Sequence, residues 1–355
     1  MLDSKLSRRA VFKASTALAV GAFFAEPIRA AAPTPSAVTP GLIEAARKEG
    51  KIAFYTALDL QVAEKLGKTF EARYPGIAAR IERSGAERVL QRIGQEQASH
   101  INAVDVACST DAAHFLFWKR SGWLTPYLPE EAAMHFPTEQ IDADSMYATV
   151  CAWLIVMGYN TKLVKPQDVP KGFADLLDPK WMGKMVKAHP AYSGGIMTAT
   201  FQMVSTLGWE YLEKLAKQKV MQVQSSVDPP RKIALGERAV MVDGTDYSVA
   251  LLKEQGQPVE IVYPAEGSPL IIVSSGVFRG APNPNAARLF QSFLCGIEAQ
   301  QVLVDVFAQR SFHPLVKERP GRTSLSTIKL LKSDPAAVEA QSDEIKARYT
   351  KIFGV

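Results

Sequence analysis

Apolar positions recur along the chain with two different periods, and the two alternate. Residues 51–56 (KIAFYT) form a short β-rich run, and residues 60–74 then carry Val62, Leu66 and Phe70 at helical spacing before Pro75-Gly76 stops the turn. The rhythm repeats. Residues 77–82 read as a strand, 86–98 as a helix with Leu90 and Ile93 inward, and 104–108 as a third strand before a helix through Phe115 and Trp118. A short helix at 42–48, stopped by Gly50, precedes the first strand. Strands alternating with helices predict an α/β fold with mainly parallel sheets covered on both faces.

A different segment follows at 149–160, TVCAWLIVMGYN, apolar throughout and too long for a typical strand. It reads as a buried strand that crosses between two lobes. A second α/β rhythm comes next: 173–177, 185–188, helices at 195–207 and 210–217, a segment at 231–235, and the strand 239–242. Residues 270–278 then return to the first lobe. Residues 285–307 read as one helix with Phe290, Phe293, Leu294, Ile297 and Val304 on its apolar side. The expected organisation is lobe 1 at 41–147 plus 263–315, lobe 2 at 148–262, and a C-terminal helical segment at 316–355 packing on the lobes. In such sheets ligands sit beyond the carboxyl ends of the strands. The loops 56–59, 83–86, 109–111, 191–195 and 243–247 are therefore the places to search.

Charge changes the picture at the N-terminus. Ser7-Arg8-Arg9 precedes an apolar stretch and the small-residue run Ala30-Ala31-Ala32, which predicts a twin-arginine signal peptide over 1–31 and a periplasmic destination. Its loss removes five basic residues (Lys5, Arg8, Arg9, Lys13, Arg29) and two acidic ones (Asp3, Glu26), so the net charge of +5 falls by three to +2. The mature part has no basic cluster, so no nucleic-acid partner is expected. Three widely spaced cysteines, Cys108, Cys151 and Cys295, imply no disulfide framework. The five histidines, His100, His114, His135, His189 and His313, show no metal-ligand spacing along the chain. No G-x-S-x-G, P-loop or G-x-G-x-x-G stands in the right context, so no enzyme and no resident cofactor is expected.

Several stretches together carry a resemblance: KIAFYTALD at 51–59, NAVDVACSTDAAHF at 102–115, MGYNTKLV at 157–164, FADLLDPKWMGKMVKAHPAYSGG at 173–195, ALGERAVMVDGTDY at 234–247 and VYPAEGSPLIIVSSGVFRGAPNPNAARLFQSFL at 262–294. In their order they resemble the extracellular solute-binding proteins of the ferric-iron, aminoethylphosphonate and thiamine import group. The resemblance implies a two-lobed type 2 periplasmic-binding fold, with two crossing strands as hinge. It also implies one solute held in the cleft by a monomer, and an ABC permease and ATPase as partners. Ferric-binding members coordinate the metal with a Tyr pair, often joined by a His from the first strand's loop. Here the pair position reads Thr245-Asp246-Tyr247-Ser248, with one Tyr, and Asp59 stands where such members place His.

The candidate ligand-binding residues are Tyr55, Thr56, Asp59, Ser84, Gly85, Ser109, Thr110, Tyr192, Ser193, Gly194, Gly195, Asp246 and Tyr247. Ser193-Gly194-Gly195 opens a helix and reads as an anion cradle, with Ser84-Gly85 and Ser109-Thr110 opposite. Tyr55 and Tyr247 are placed to flank a ligand. Counting donors favours a small organic anion, such as a phosphonate or carboxylate. An iron site would have to use Asp59, Tyr192, Asp246 and Tyr247. An exported enzyme on the same fold is the third reading.

Overall fold

Short β-branched runs and amphipathic helices alternate because each strand must be covered by the helix that follows it. The computed structural model describes residues 33–355; the expected signal peptide lies outside them. The first half comprises α1 (Pro40–Glu49), β1 (Lys51–Thr56), α2 (Leu60–Arg73), β2 (Ala78–Arg83), α3 (Ala86–Ala98), β3 (Val106–Ser109), α4 (Ala112–Arg120) and α5 (Glu130–His135). Next come β4 (Ala148–Asn160), β5 (Met185–Ala188), α6 (Gly194–Leu207), α7 (Trp209–Ala216), β6 (Met221–Val223), α8 (Asp228–Ala234), β7 (Val240–Thr245), α9 (Asp246–Glu254) and β8 (Val259–Val262). The chain closes with β9 (Leu270–Val277), α10 (Pro284–Cys295), α11 (Ile297–Phe307) and α12 (Pro335–Phe353).

The strand order is β2-β1-β3-β9-β4-β7-β5-β6, with β8 pairing on β4. Within each half the short strands run parallel: β1 with β2 and β3, and β5 with β6 and β7. The two long strands are antiparallel to their neighbours. β9 pairs with β3 and with the first part of β4, and the rest of β4 pairs with β7 and β8. So β4 passes from one group of strands into the other, its register shifting between Thr149 and Cys151 and again between Val156 and Gly158. Buried at nearly every position, it reads as an uninterrupted apolar run.

The expected single helix over 285–307 is two helices. Gly296, extended at φ −77° and ψ 152°, separates α10 from α11. Ile297, expected on the apolar side, is 44% exposed, because the break turns the start of α11 out of the α10 face. The short strands β6 and β8 were not foreseen; three or four residues give no period to detect.

The C-terminal α12 bridges the halves. Glu339 pairs with Arg120 of α4 and Lys346 with Glu87 of α3, while Arg348 meets Glu213 of α7 and the Tyr349 hydroxyl donates to Gln222. Among the described residues no helix is long and apolar enough to cross a membrane.

Candidate functional site

Five helices of eight or more residues begin around one polar cavity, because each follows the carboxyl end of a strand or the turn after it; one is α9, whose first turn brings in Tyr247. Asp59 starts α2, Gly85 starts α3, Asp111 starts α4 and Ser193 starts α6. The cavity has a volume of about 120 Å³, well below the roughly 300–1,000 Å³ of a drug-sized pocket. Its rims touch. A Cβ on Gly194 would lie 2.7 Å from the Asp111 Cβ, 3.0 Å from the Ala86 Cβ and 3.1 Å from Thr110 Oγ1. A Cβ on Gly85 would lie 2.8 Å from the carbonyl oxygen of Tyr192. Glycine at 85 and 194 is what allows α3 and α6 to meet end to end.

Of the thirteen sequence candidates, Asp59, Gly85, Thr110, Tyr192, Ser193 and Tyr247 line this cavity. Ser193 caps α6, its hydroxyl accepting from Ile196 N at 3.4 Å. The Asp59 carboxylate makes no capping bond and lies 3.8 Å from Arg231. Tyr247 is buried against Trp153, ring centres 5.4 Å apart. Burial, with the Asp59 charge nearby, pushes its phenol well above the ordinary range, so it is a neutral group at neutral pH.

The others lie outside the lining, each for a local reason. Tyr55 points to the opposite face of β1, donates to Glu96 at 2.9 Å and is covered by Arg92. Burial raises its pKa to about 12. Thr56 is buried and accepts from Leu58 N; Ser84 is half-buried, its N–H donating to Thr56 O. Ser109 is buried and bonded to His114 Nδ1 at 2.9 Å. Gly194 and Gly195 are buried in the packed start of α6. Asp246 is spent elsewhere: it accepts from Leu154 N at 3.0 Å and from both Arg310 and Arg322, with no exposure. The expected four-residue iron set thus lacks its Asp246 member.

Arg83 stands in the 83–86 loop marked for search though it was not named as a candidate, while sequence reasoning missed Trp153, Arg88 and the 224–226 segment; all of them line the cavity. Trp153 Nε1 is buried and has no hydrogen-bond partner, as is true of Trp118 and Trp181, but of these three only Trp153 lines the cavity, where a ligand can supply the acceptor. Arg83 donates to Leu58 O through Nε at 3.1 Å, which leaves the other four guanidinium N–H donors for further partners. Ser225 and Ser226 follow β6, so missing that strand hid the loop at its end. The remaining lining carboxylate, Glu87, is neutralised from behind. Burial works against its charge, but His114 at 3.1 Å and Lys346 at 2.6 Å hold its pKa at about 2.

A model of the family described as "Bacterial extracellular solute-binding protein" matches residues 102–321, more than half of the chain. The chain belongs to the bacterial extracellular solute-binding proteins. The periplasmic binding protein AfuA of Actinobacillus pleuropneumoniae, solved with fructose-6-phosphate bound, superposes on this binding protein with a TM-score of 0.79. It is 24% identical and covers 86% of this chain and 99% of that one. Iron uptake protein A2 of a Synechocystis strain is 23% identical over 354 residues, 95% of this chain and 94% of that one. An uncharacterised protein of Haemophilus influenzae is 30% identical over 156 residues, 42% of this chain and only 45% of its own length. AfuA shares the fold of this protein, in which two groups of parallel strands are joined through long antiparallel ones.

Proposed function

We propose that this protein captures a small oxyanion, a phosphonate, phosphate ester or carboxylate, in the cavity between α3, α4 and α6, and delivers it to an ABC permease without chemical change. The observation that carries the reading is the unpaired Trp153 Nε1, a donor buried in the wall of a cavity surrounded by helix N-termini. Arg83 and Arg88 add positive charge, and helix starts favour anions through their free N–H groups and dipoles. Ferric iron is the second reading, favoured by the likeness to Iron uptake protein A2 and by Asp59, Tyr192 and Tyr247 in one lining. With Asp246 committed to two arginines, that donor set is short of anionic oxygens.

Lobes at 41–147 plus 263–315 and at 148–262 would open about β4 and β9, and closure would bring Gly194 onto Thr110. Gly194→Val is therefore expected to abolish solute binding by holding the two rims apart, and Trp153→Phe to weaken it by about 1.5–3 kcal/mol, the worth of a hydrogen bond to a charged group. A thermal-shift screen with phosphonates, sugar phosphates, carboxylates and ferric citrate reads both. An anion at about 100 times its Kd adds roughly 2.7 kcal/mol of stability. Stoichiometric iron with a visible phenolate band, surviving in Gly194→Val, sinks the anion reading.

Export by the twin-arginine route rests on Arg8-Arg9 and the apolar run after it. Replacing both arginines by lysine should leave precursor in the cytoplasm. Normal periplasmic accumulation of that variant, followed by fractionation, excludes the route.

A further inference from the structure

Far from the cavity in sequence, α5 presents Glu131 and His135 on one face, four residues apart, and the segment after α11 brings His313 against them. Glu131 Oε2 lies 3.5 Å from His135 Nε2 and 3.4 Å from His313 Nε2, and all three ligand atoms lie within 4.8 Å of one another. These separations are long for charged hydrogen bonds, which close to about 2.7–2.9 Å. They match the edge of a metal tetrahedron, because bonds of about 2.0–2.1 Å put ligand atoms about 3.4 Å apart. We propose that Glu131, His135 and His313 bind one divalent transition-metal ion of the zinc class, at a site separate from the solute cavity.

The donors are positioned as such a site requires. The His313 side chain has no exposure, its ring standing edge-on to Phe136 and 4.9 Å from the His135 ring. Ser311 Oγ accepts from His313 N at 3.0 Å and fixes the loop. His135 and Glu131 are partly exposed, which gives the ion a path in and leaves a fourth position for water. Two imidazoles and one carboxylate suit zinc-class ions better than calcium or magnesium, which take oxygen ligands. Leu315 N donates to His313 Nδ1 at 3.3 Å, so the ring proton sits on Nε2 in the metal-free protein. Binding moves that proton to Nδ1, and the Leu315 contact gives way. The ion ties α5 to a segment 182 residues later in the chain.

The test uses Zn²⁺ alone by calorimetry, and Co²⁺ as a coloured stand-in, on the full mature protein at about pH 7.5, far enough toward neutral that protons compete little with the metal. One Zn²⁺ per chain, a higher melting temperature and a tetrahedral Co²⁺ spectrum are expected. His135→Ala, and separately Glu131→Gln, should weaken Zn²⁺ binding by more than the roughly 10–100-fold that loss of an outer-shell partner costs. Both residues are partly exposed, so these variants fold even if His313→Ala does not. Asp59→Asn, which would cripple a metal site in the solute cavity, should leave the Zn²⁺ titration unchanged. Absence of Zn²⁺ binding, an octahedral Co²⁺ spectrum, or binding that survives His135→Ala overturns the site.

Discussion

Replacing Lys187 by Met is expected to cost about 3–5 kcal/mol of folding stability, the toll of leaving a buried charge without its partner. Lys187 and Asp243 form an ion pair at 2.6 Å with neither side chain exposed. Asp243 also accepts from Ala188 N at 2.8 Å, and Lys187 Nζ donates to Ala188 O and faces the Tyr349 ring of α12. The methionine fills similar volume but strands a carboxylate between β5 and β7. Urea unfolding should show the loss as a lower midpoint with an unchanged slope. Adding Asp243→Leu should restore most of it, since a well-packed apolar pair replaces a buried ion pair at little cost. A single Lys187→Met variant as stable as the parent would mean that water reaches the pair.

Asp246→Ala is the second large effect, again about 3–5 kcal/mol, and it separates a structural role from a ligand role. The carboxylate joins three parts of the chain: Leu154 in β4, Arg310 after α11 and Arg322 beyond it. Both guanidiniums are nearly buried, so removing the anion leaves two cations facing each other in a dry place. The loss should appear in the solute-free protein. An unchanged unfolding midpoint with impaired binding would return Asp246 to the cavity.

Asp246 also illustrates how far residue type alone leads. An acidic residue beside Tyr247 at the end of a strand looks like a ligand, and Tyr247 does line the cavity. Its neighbour points the other way, toward arginines more than sixty residues later, and nothing in local spacing announces them. Trp153 shows the converse. Inside an apolar strand it reads as core, and it is 3% exposed, yet its one polar atom is left without a partner at the cavity. His135 and His313 repeat the lesson: no spacing along the chain pairs them, and the fold sets their rings 4.9 Å apart.

By itself the sequence determined the longer elements and their order, though not the short β6 and β8 or the break at Gly296. Short apolar runs at 51–56 and 185–188 can only be covered strands, helical periods such as Val62, Leu66 and Phe70 must bury one face, and the unbroken apolar 149–160 needs neighbours on both sides. Local turn chemistry also placed the loops, since Gly85 and Ser193 start helices through their own backbone and hydroxyl groups. Tertiary structure alone decided which polar atoms find partners. Hydrogen bonds and ion pairs depend on ångström-scale distances between residues remote in the chain, so only packing spends Asp246 on Arg310 and Arg322, leaves Trp153 Nε1 free, and brings Glu131 and His313 together.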